Sequence, residues 1–387
     1  MALQFQRNAD VYVQVLAEAG GAVETTWKVP VLEGFSFSQS VNSSEVTINE
    51  AGETSRRARL LFNDSLAPAE WSFSTYIRPT NDPASPATNR TLAPEQALWA
   101  MLMGANAFDA ATTVYSNDSS SPSIAVNEQG ADASPAVNKQ NTFNFNASNI
   151  SAMPDNWNVI FAFEDGDTKQ YFTCTKAVVN SASIDFDIDG IATVAWSGFG
   201  ATLTDNGATA PNGLSTAIET GITGTENFIR NRISTLDLIR TDDSPNDTYS
   251  IVLTGGSFSV ENNITYLTPE ELGVVNKPLA NITGARTITG SLSCYFDGGS
   301  DNDDKSGELF RDLVNDTSTI RNVFDMAVNV GGETAGSPRL ALDLPTAHLE
   351  IPTIGVEDLL TLEVNFHGQV ASGNVDSTNE ATVIYKS

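Results

Sequence analysis

A chain of 387 residues exceeds what a single hydrophobic core usually serves, so two domains are expected, and 40% apolar residues with 19 Phe and 5 Trp suffice to fill them. The balance of 20 Lys and Arg against 48 Asp and Glu, a formal charge of -28 with no basic cluster, excludes a protein that grips nucleic acid through cations. The same charge leaves two readings open, a like-charged wall past which DNA slides or simple solubility.

Along the chain, the N-terminal residues lack an apolar run of signal-peptide length, and no stretch approaches the roughly 20 apolar residues of a membrane span. No membrane partner is expected. A repeat then organises the sequence. Phe5-Gln6-Arg7-Asn8 returns as Phe228-Ile229-Arg230-Asn231, Phe37 of a Gly-Phe-Ser-Phe-Ser run as Phe258, and Trp71-Ser72-Phe73-Ser74 as Gly290-Ser291-Leu292-Ser293. The offset drifts slowly from 223 through 221 to 219 residues, which chance matches would not do. Ser183–Ile188 answers His348–Ile351, and Thr193–Gly198 answers Leu362–Gly368. Two copies of one β-rich domain are the economical reading.

Within each copy strict alternation predicts half-buried antiparallel strands, as in Trp71–Ile77. One helix interrupts each copy. Pro94 opens the first, Ala97, Leu98, Met101 and Leu102 form its stripe, and Gly104 ends it. Ser306 is the expected N-cap of the second, over Gly307 to Asn315, with Leu309, Phe310 and Leu313 as its stripe. The expected division is a first domain over 1–203 with a loop insertion near 116–141, a linker over 204–226 rich in Gly, Asn and Thr, and a second domain over 227–387. Cys174 and Cys294 lie in alternating segments and read as buried thiols, not as a disulfide framework.

Little in the sequence points to chemistry. His348 and His367 stand in strand patterns without metal-ligand spacing, and neither a nucleophile elbow nor a phosphate loop is present. Asp185-Phe186-Asp187-Ile188-Asp189-Gly190 begins like a calcium loop, but its twelfth position is Trp196 in place of Glu, and its flanks alternate as strands. The alternation puts Ile184, Phe186 and Ile188 on one face and the three Asp on the other, a carboxylate row for a lumen or an interface. The acidic run Asp297–Asp304 reads as a solvated turn. No catalytic, cofactor or metal-binding residue is assigned, and no enzyme activity is expected. The hairpin from Gln39 to Arg57, with Glu45, Glu50, Glu53, Arg56 and Arg57, either contacts a neighbouring subunit or is a plain surface hairpin.

Several runs together carry a resemblance: Asn49-Glu50-Ala51-Gly52, Arg59–Phe62, Asn63-Asp64-Ser65-Leu66, the unbroken Ala69–Ile77, Asn262–Pro269, Thr287–Leu292 and Ile351-Pro352-Thr353-Ile354. From Leu3 to about Phe366 the chain resembles the tail tube proteins of T-five-like long-tailed phages. The resemblance implies a mainly β protein built as two tandem tail-tube β-sandwich domains, each with a flanking helix. It implies trimeric rings of pseudo-sixfold symmetry that stack into a hollow tube conducting DNA, with Asp185, Asp187 and Asp189 as candidate lumen residues. Partners would be further copies of the chain, a tape-measure protein, and tail terminator and tip proteins, with DNA as non-specific cargo. The place would be the virion tail, after synthesis in the bacterial host cytoplasm. The family's best-known member adds a C-terminal immunoglobulin-like domain, and a sequence ending at Ser387 implies no such decoration. The competing reading is a virion adhesin or carbohydrate-binding β-sandwich, which would expose aromatic clusters. A contractile-phage tube protein is a near neighbour in class.

Overall fold

The structure is a computed structural model that describes residues 9–47, 59–81, 91–109, 114–116, 126–129, 140–146, 152–165, 168–219, 228–242, 247–298, 304–316, 321–332, 337–356, 358–370 and 379–386. Alternating segments become strands, so the protein is mainly β. In the first half these are β1 (Ala9–Leu16), β2 (Val23–Val29), β3 (Ser36–Ser38), β4 (Val41–Thr47), β5 (Arg59–Leu66), β6 (Ala69–Tyr76), β7 (Thr80–Asn81) and β8 (Thr91–Leu92). Helix α1 (Gln96–Met103) follows, then β9 (Ala107–Asp109), β10 (Val114–Ser116), β11 (Val126–Gln129), β12 (Gln140–Asn146), β13 (Trp157–Asp165), β14 (Thr168–Thr175), β15 (Val178–Asp187), β16 (Thr193–Gly200), β17 (Thr202–Gly207) and β18 (Ile218–Glu219). The second half holds β19 (Thr235–Arg240), β20 (Asp247–Tyr249), β21 (Leu253–Glu261), β22 (Thr265–Leu267), β23 (Ala280–Ile282), β24 (Thr287–Tyr295), helix α2 (Ser306–Asn315), β25 (Phe324–Val330), β26 (Arg339–Leu349), β27 (Thr353–Val356), β28 (Leu360–Gly368) and β29 (Asn379–Lys386).

The strand order recurs. In the first half one sheet runs β17-β14-β13-β1-β2, and β3-β6-β16-β15 stand side by side. In the second half β29-β26-β25-β19-β20 and β21-β24-β28-β26 follow the same two paths, with β26 serving in both. Arg339–Asp343 of β26 pair with β29 and Ala347–Leu349 pair with β28. Pro345, which has no N–H to donate, lies at the register shift where the strand passes from one set of partners to the other. The first half makes the same passage by breaking the strand at Lys176, whose φ is 50°. The two halves join where β15 pairs with β21, from Ser181↔Glu261 to Asp187↔Gly255. The strand that follows the expected loop insertion of 116–141 crosses over as well, since β12 pairs along β29 from Gln140↔Lys386 to Asn146↔Asn379. Of the insertion itself, β11 is described and most residues lie outside the described ones.

Residues 204–219, linker-like in composition, lie on the first half. β17 pairs with β14, β18 pairs with β2, and the Gln14 amide donates to the Asn212 carbonyl at 2.6 Å. Buried side chains from both halves form one cluster, from Val11 to Tyr385, where the sequence suggested two cores. Three close approaches are cut to glycine. Gly198 lies opposite Trp71, Gly256 opposite Phe186 and Gly290 opposite Phe366. A Cβ on Gly290 would stand 2.1 Å from the Ser257 carbonyl oxygen and 2.3 Å from the Phe366 ring.

The helices differ from the expected pair of flanking stripes. Every residue of α1 is buried, including those off the predicted stripe, and Gly104 closes it in the left-handed region as expected. Around α2 the stripe holds, with Leu309 and Leu313 buried and Phe310 half-buried. Ser306 does not cap it: its hydroxyl donates to the Tyr295 carbonyl and accepts from the Asp297 N–H, both at 2.8 Å, which ties the helix start to the end of β24. The Glu308 carboxylate reaches back past the N-cap residue Lys305 to accept from the Asp304 N–H at 2.7 Å.

Candidate functional site

The eight strands β3-β6-β16-β15-β21-β24-β28-β26 present one face to the core and one away from it. Core-facing positions are Trp71, Phe73, Trp196, Ile184, Phe258, Leu292, Val364 and others, all buried. The opposite face is read off in rows across the strands. One row is Ser36, Ser72, Ser197, Ser181, Glu261, Thr287. The next is Ser74, Ala195, Ser183, Ser259, Thr289, His367, His348, and the third Tyr76, Thr193, Asp185, Ser257, Ser291, Asn365. A fourth holds Asp187, Gly255, Ser293, Glu363 and Thr353.

None of these positions is Lys or Arg. Most of their side chains are short hydroxyls and carboxylates, with His348, His367, Asn365 and Tyr76 among them, and hydroxyls bond each other along the rows: Ser36 to Ser72 at 2.9 Å, Ser181 to Ser197 at 2.7 Å, Ser257 to Ser291 at 3.1 Å. Cross-strand hydroxyl pairs of this kind lock register without adding bulk. Short side chains also suit the concave side of a curved sheet, where room is least.

Asp185 and Asp187 lie exposed on this polar face, on β15. Asp189 does not continue their row, because β15 ends at Asp187 and residues 188–189 form a turn; Ile188, expected on the buried side, is 42% exposed for the same reason. Asp189 instead approaches Arg232 at 3.9 Å. The twelfth position of the calcium-like run, Trp196, is a core residue whose Nε1 donates to Thr75 Oγ1 at 3.0 Å. Asp297 of the other acidic run pairs with Lys305 at 2.8 Å. Among the described residues no group of three His, Cys, Asp or Glu side chains is placed to hold a metal ion. Cys174 and Cys294 are buried free thiols, and burial pushes Cys174 up to about 12 and Cys294 up to about 11.

The histidines, which the sequence places in strand patterns without metal-ligand spacing, face each other across β26 and β28, rings 6.5 Å apart. Glu350 accepts from His367 at 2.9 Å and from Asn365 at 3.0 Å, hydrogen bonds that hold its carboxyl below the usual range. The alternation of β26 contained the signal, since Glu350 stands two residues from His348 on the same face.

The hairpin of β4 and β5 leaves the end of this sheet. Glu45 pairs with Arg59 at 3.2 Å, while Glu50, Glu53, Arg56 and Arg57 lie outside the described residues, as does the repeat segment Phe5–Asn8. The described arms uncover apolar side chains: Leu60 is 50%, Leu61 69% and Phe62 53% exposed. The two outer edges of the eight strands differ from the seam between the halves. β15 and β21 each have two neighbours, whereas among the described residues β3 pairs only with β6 and β27, which extends β26 along β28, pairs only with β28.

The profile of the family described as phage tail tube protein matches residues 15–368. The chain belongs to that family. The tail tube protein pb6 of Escherichia phage T5 is 33% identical over 371 residues, an overlap of 95% of this chain and 72% of the relative. Family membership makes this a structural protein of a phage tail.

Proposed function

We propose that the chain is a duplicated tail tube domain, that three copies close into a ring, and that stacked rings form the hollow tube through which genomic DNA passes. The observation that carries this reading is the pairing of β15 with β21. The junction between the halves is a hydrogen-bonded strand pair between positions whose counterparts, β27 and β3, have no second neighbour among the described residues at the two ends of the same eight strands. Joining β27 of one copy to β3 of the next repeats the internal junction and removes both edges. Six such halves give the ring its pseudo-sixfold symmetry.

The polar face is then the lumen wall, with Asp185 and Asp187 among its residues. A wall of hydroxyls and carboxylates offers phosphates no cation to bind, so DNA passes without adsorbing. Asp189, in the turn, belongs to the rim of that wall. The apolar hairpin arms of β4 and β5 are the proposed contact with the next ring, with Glu45, Glu50, Glu53, Arg56 and Arg57 beside them. Tape-measure, terminator and tip proteins are the further partners of such a tube, and the virion tail is its place.

The internal junction supplies the register for a test. Ser183 lies opposite Ser259 across it, and the equivalent positions are Thr353 on β27 and Ser38 on β3. A Ser38→Cys, Thr353→Cys double variant should give covalent trimers on oxidation of assembled tubes, read on a denaturing gel, and hollow tubes by electron microscopy. Tubes whose rings contain another number of chains, or that yield no covalent species, would overturn the trimeric closure.

A further inference from the structure

Glu95 lies at the start of α1 and is fully buried. Its carboxylate receives the Tyr385 hydroxyl from β29, and that hydroxyl in turn accepts from Trp99 Nε1 at 2.9 Å. The second carboxylate oxygen, Oε2, is buried with no hydrogen-bond partner. An acid so placed is costly to ionise, because its lost hydration is replaced only by neutral donors, the Tyr385 hydroxyl and its own backbone N–H.

The surroundings hold little to offset that cost. Arg78, after β6, is the charged group whose field reaches Glu95 among the described residues, and its guanidinium stacks 4.9 Å from the Phe228 ring. From β12 comes only the neutral Asn141, whose amide donates to Gln96 at 3.2 Å. On β29 the nearest other acid, Glu380, is paired with Arg286 at 3.2 Å. Trp27, on β2, spends its N–H on the Pro94 carbonyl at 2.6 Å. Side chains from α1 and from the last strand therefore join in one buried chain of hydrogen bonds that ends at the Glu95 carboxyl.

We propose that Glu95, Tyr385 and Trp99 form a proton-operated latch that fastens the last strand of the chain to the helix of the first half. With a proton on Glu95 the buried group is neutral, and β29 is held. On loss of the proton a charge is left in an aromatic pocket, and the contact between α1 and β29 weakens. Burial, the largest influence, pushes the carboxyl up to about 7 from an ordinary 4.5, with Tyr385 and Arg78 opposing it. The sign follows from linkage: a group raised in the folded state contributes stability that is complete below its unfolded value and is lost as pH rises through the folded value. The latch thus holds in mild acid and slackens above neutrality.

The test is the thermal midpoint of the purified chain from pH 4 to 8, with Glu95→Gln alongside. The amide copies the protonated acid, so the two proteins should melt together at pH 4, below the ordinary value of 4.5. At pH 8 the unsubstituted chain should fall about 5 °C below the variant. Parallel pH profiles would overturn the latch. Infrared spectroscopy of the unsubstituted chain decides the matter even if the variant does not fold: a protonated carboxyl band near neutrality that disappears by pH 8 supports the proposal, and its absence at pH 6 refutes it.

Discussion

Helices α1 and α2 hold the same place in the strand order of their halves, between β6 and β13 and between β24 and β25, yet they live in different solvents. The first is buried on every side, while the second buries Leu309 and Leu313 and leaves Val314 40% exposed. The difference is coverage. β12 crosses from the first half to pair with β29 of the second, and together they roof α1; no described strand does this for α2. An apolar sequence all round and a stripe thus record how many sides neighbours supply.

Substitutions on the two helices should separate accordingly. Trp99→Ala removes a fully buried ring in contact with Trp196, Phe143 and Phe145, and should cost about 4 kcal/mol by denaturant unfolding. Tyr385→Phe keeps the roof but leaves Glu95 and Trp99 without their shared hydroxyl, an expected loss of about 2 kcal/mol. Phe310→Ala on α2, whose half-buried ring packs on Phe296, should cost about 1.5 kcal/mol. Val314→Ser should change the unfolding midpoint of the isolated chain by no more than about 0.5 kcal/mol. If Phe310→Ala cost as much as Trp99→Ala, coverage would not be what separates the helices.

The strands were largely legible. Alternation in Trp71–Ile77 and in Ser183–Phe186 put the right residues in the core, because neighbouring side chains on a strand must take opposite faces. The same alternation set Asp185 and Asp187 on the face opposite the core. Ile188 and Asp189 were misplaced because alternation carries no mark of where a strand gives way to a turn. The two histidines, read singly, gave no sign that β26 would lie against β28 and bring them face to face.

The sequence by itself determined the period of each strand, the two helices, the repeat with its slow drift, and the acidic balance without a basic cluster. Each is a local or compositional property, set within a few residues. Only the tertiary structure decided which edges pair and which stay open, that α1 would be roofed while α2 would not, and that Glu95 would meet Tyr385 across 290 residues. Such contacts depend on which distant segment wins a place beside an edge, and that outcome is settled by the shared burial of one core rather than by any one segment's pattern.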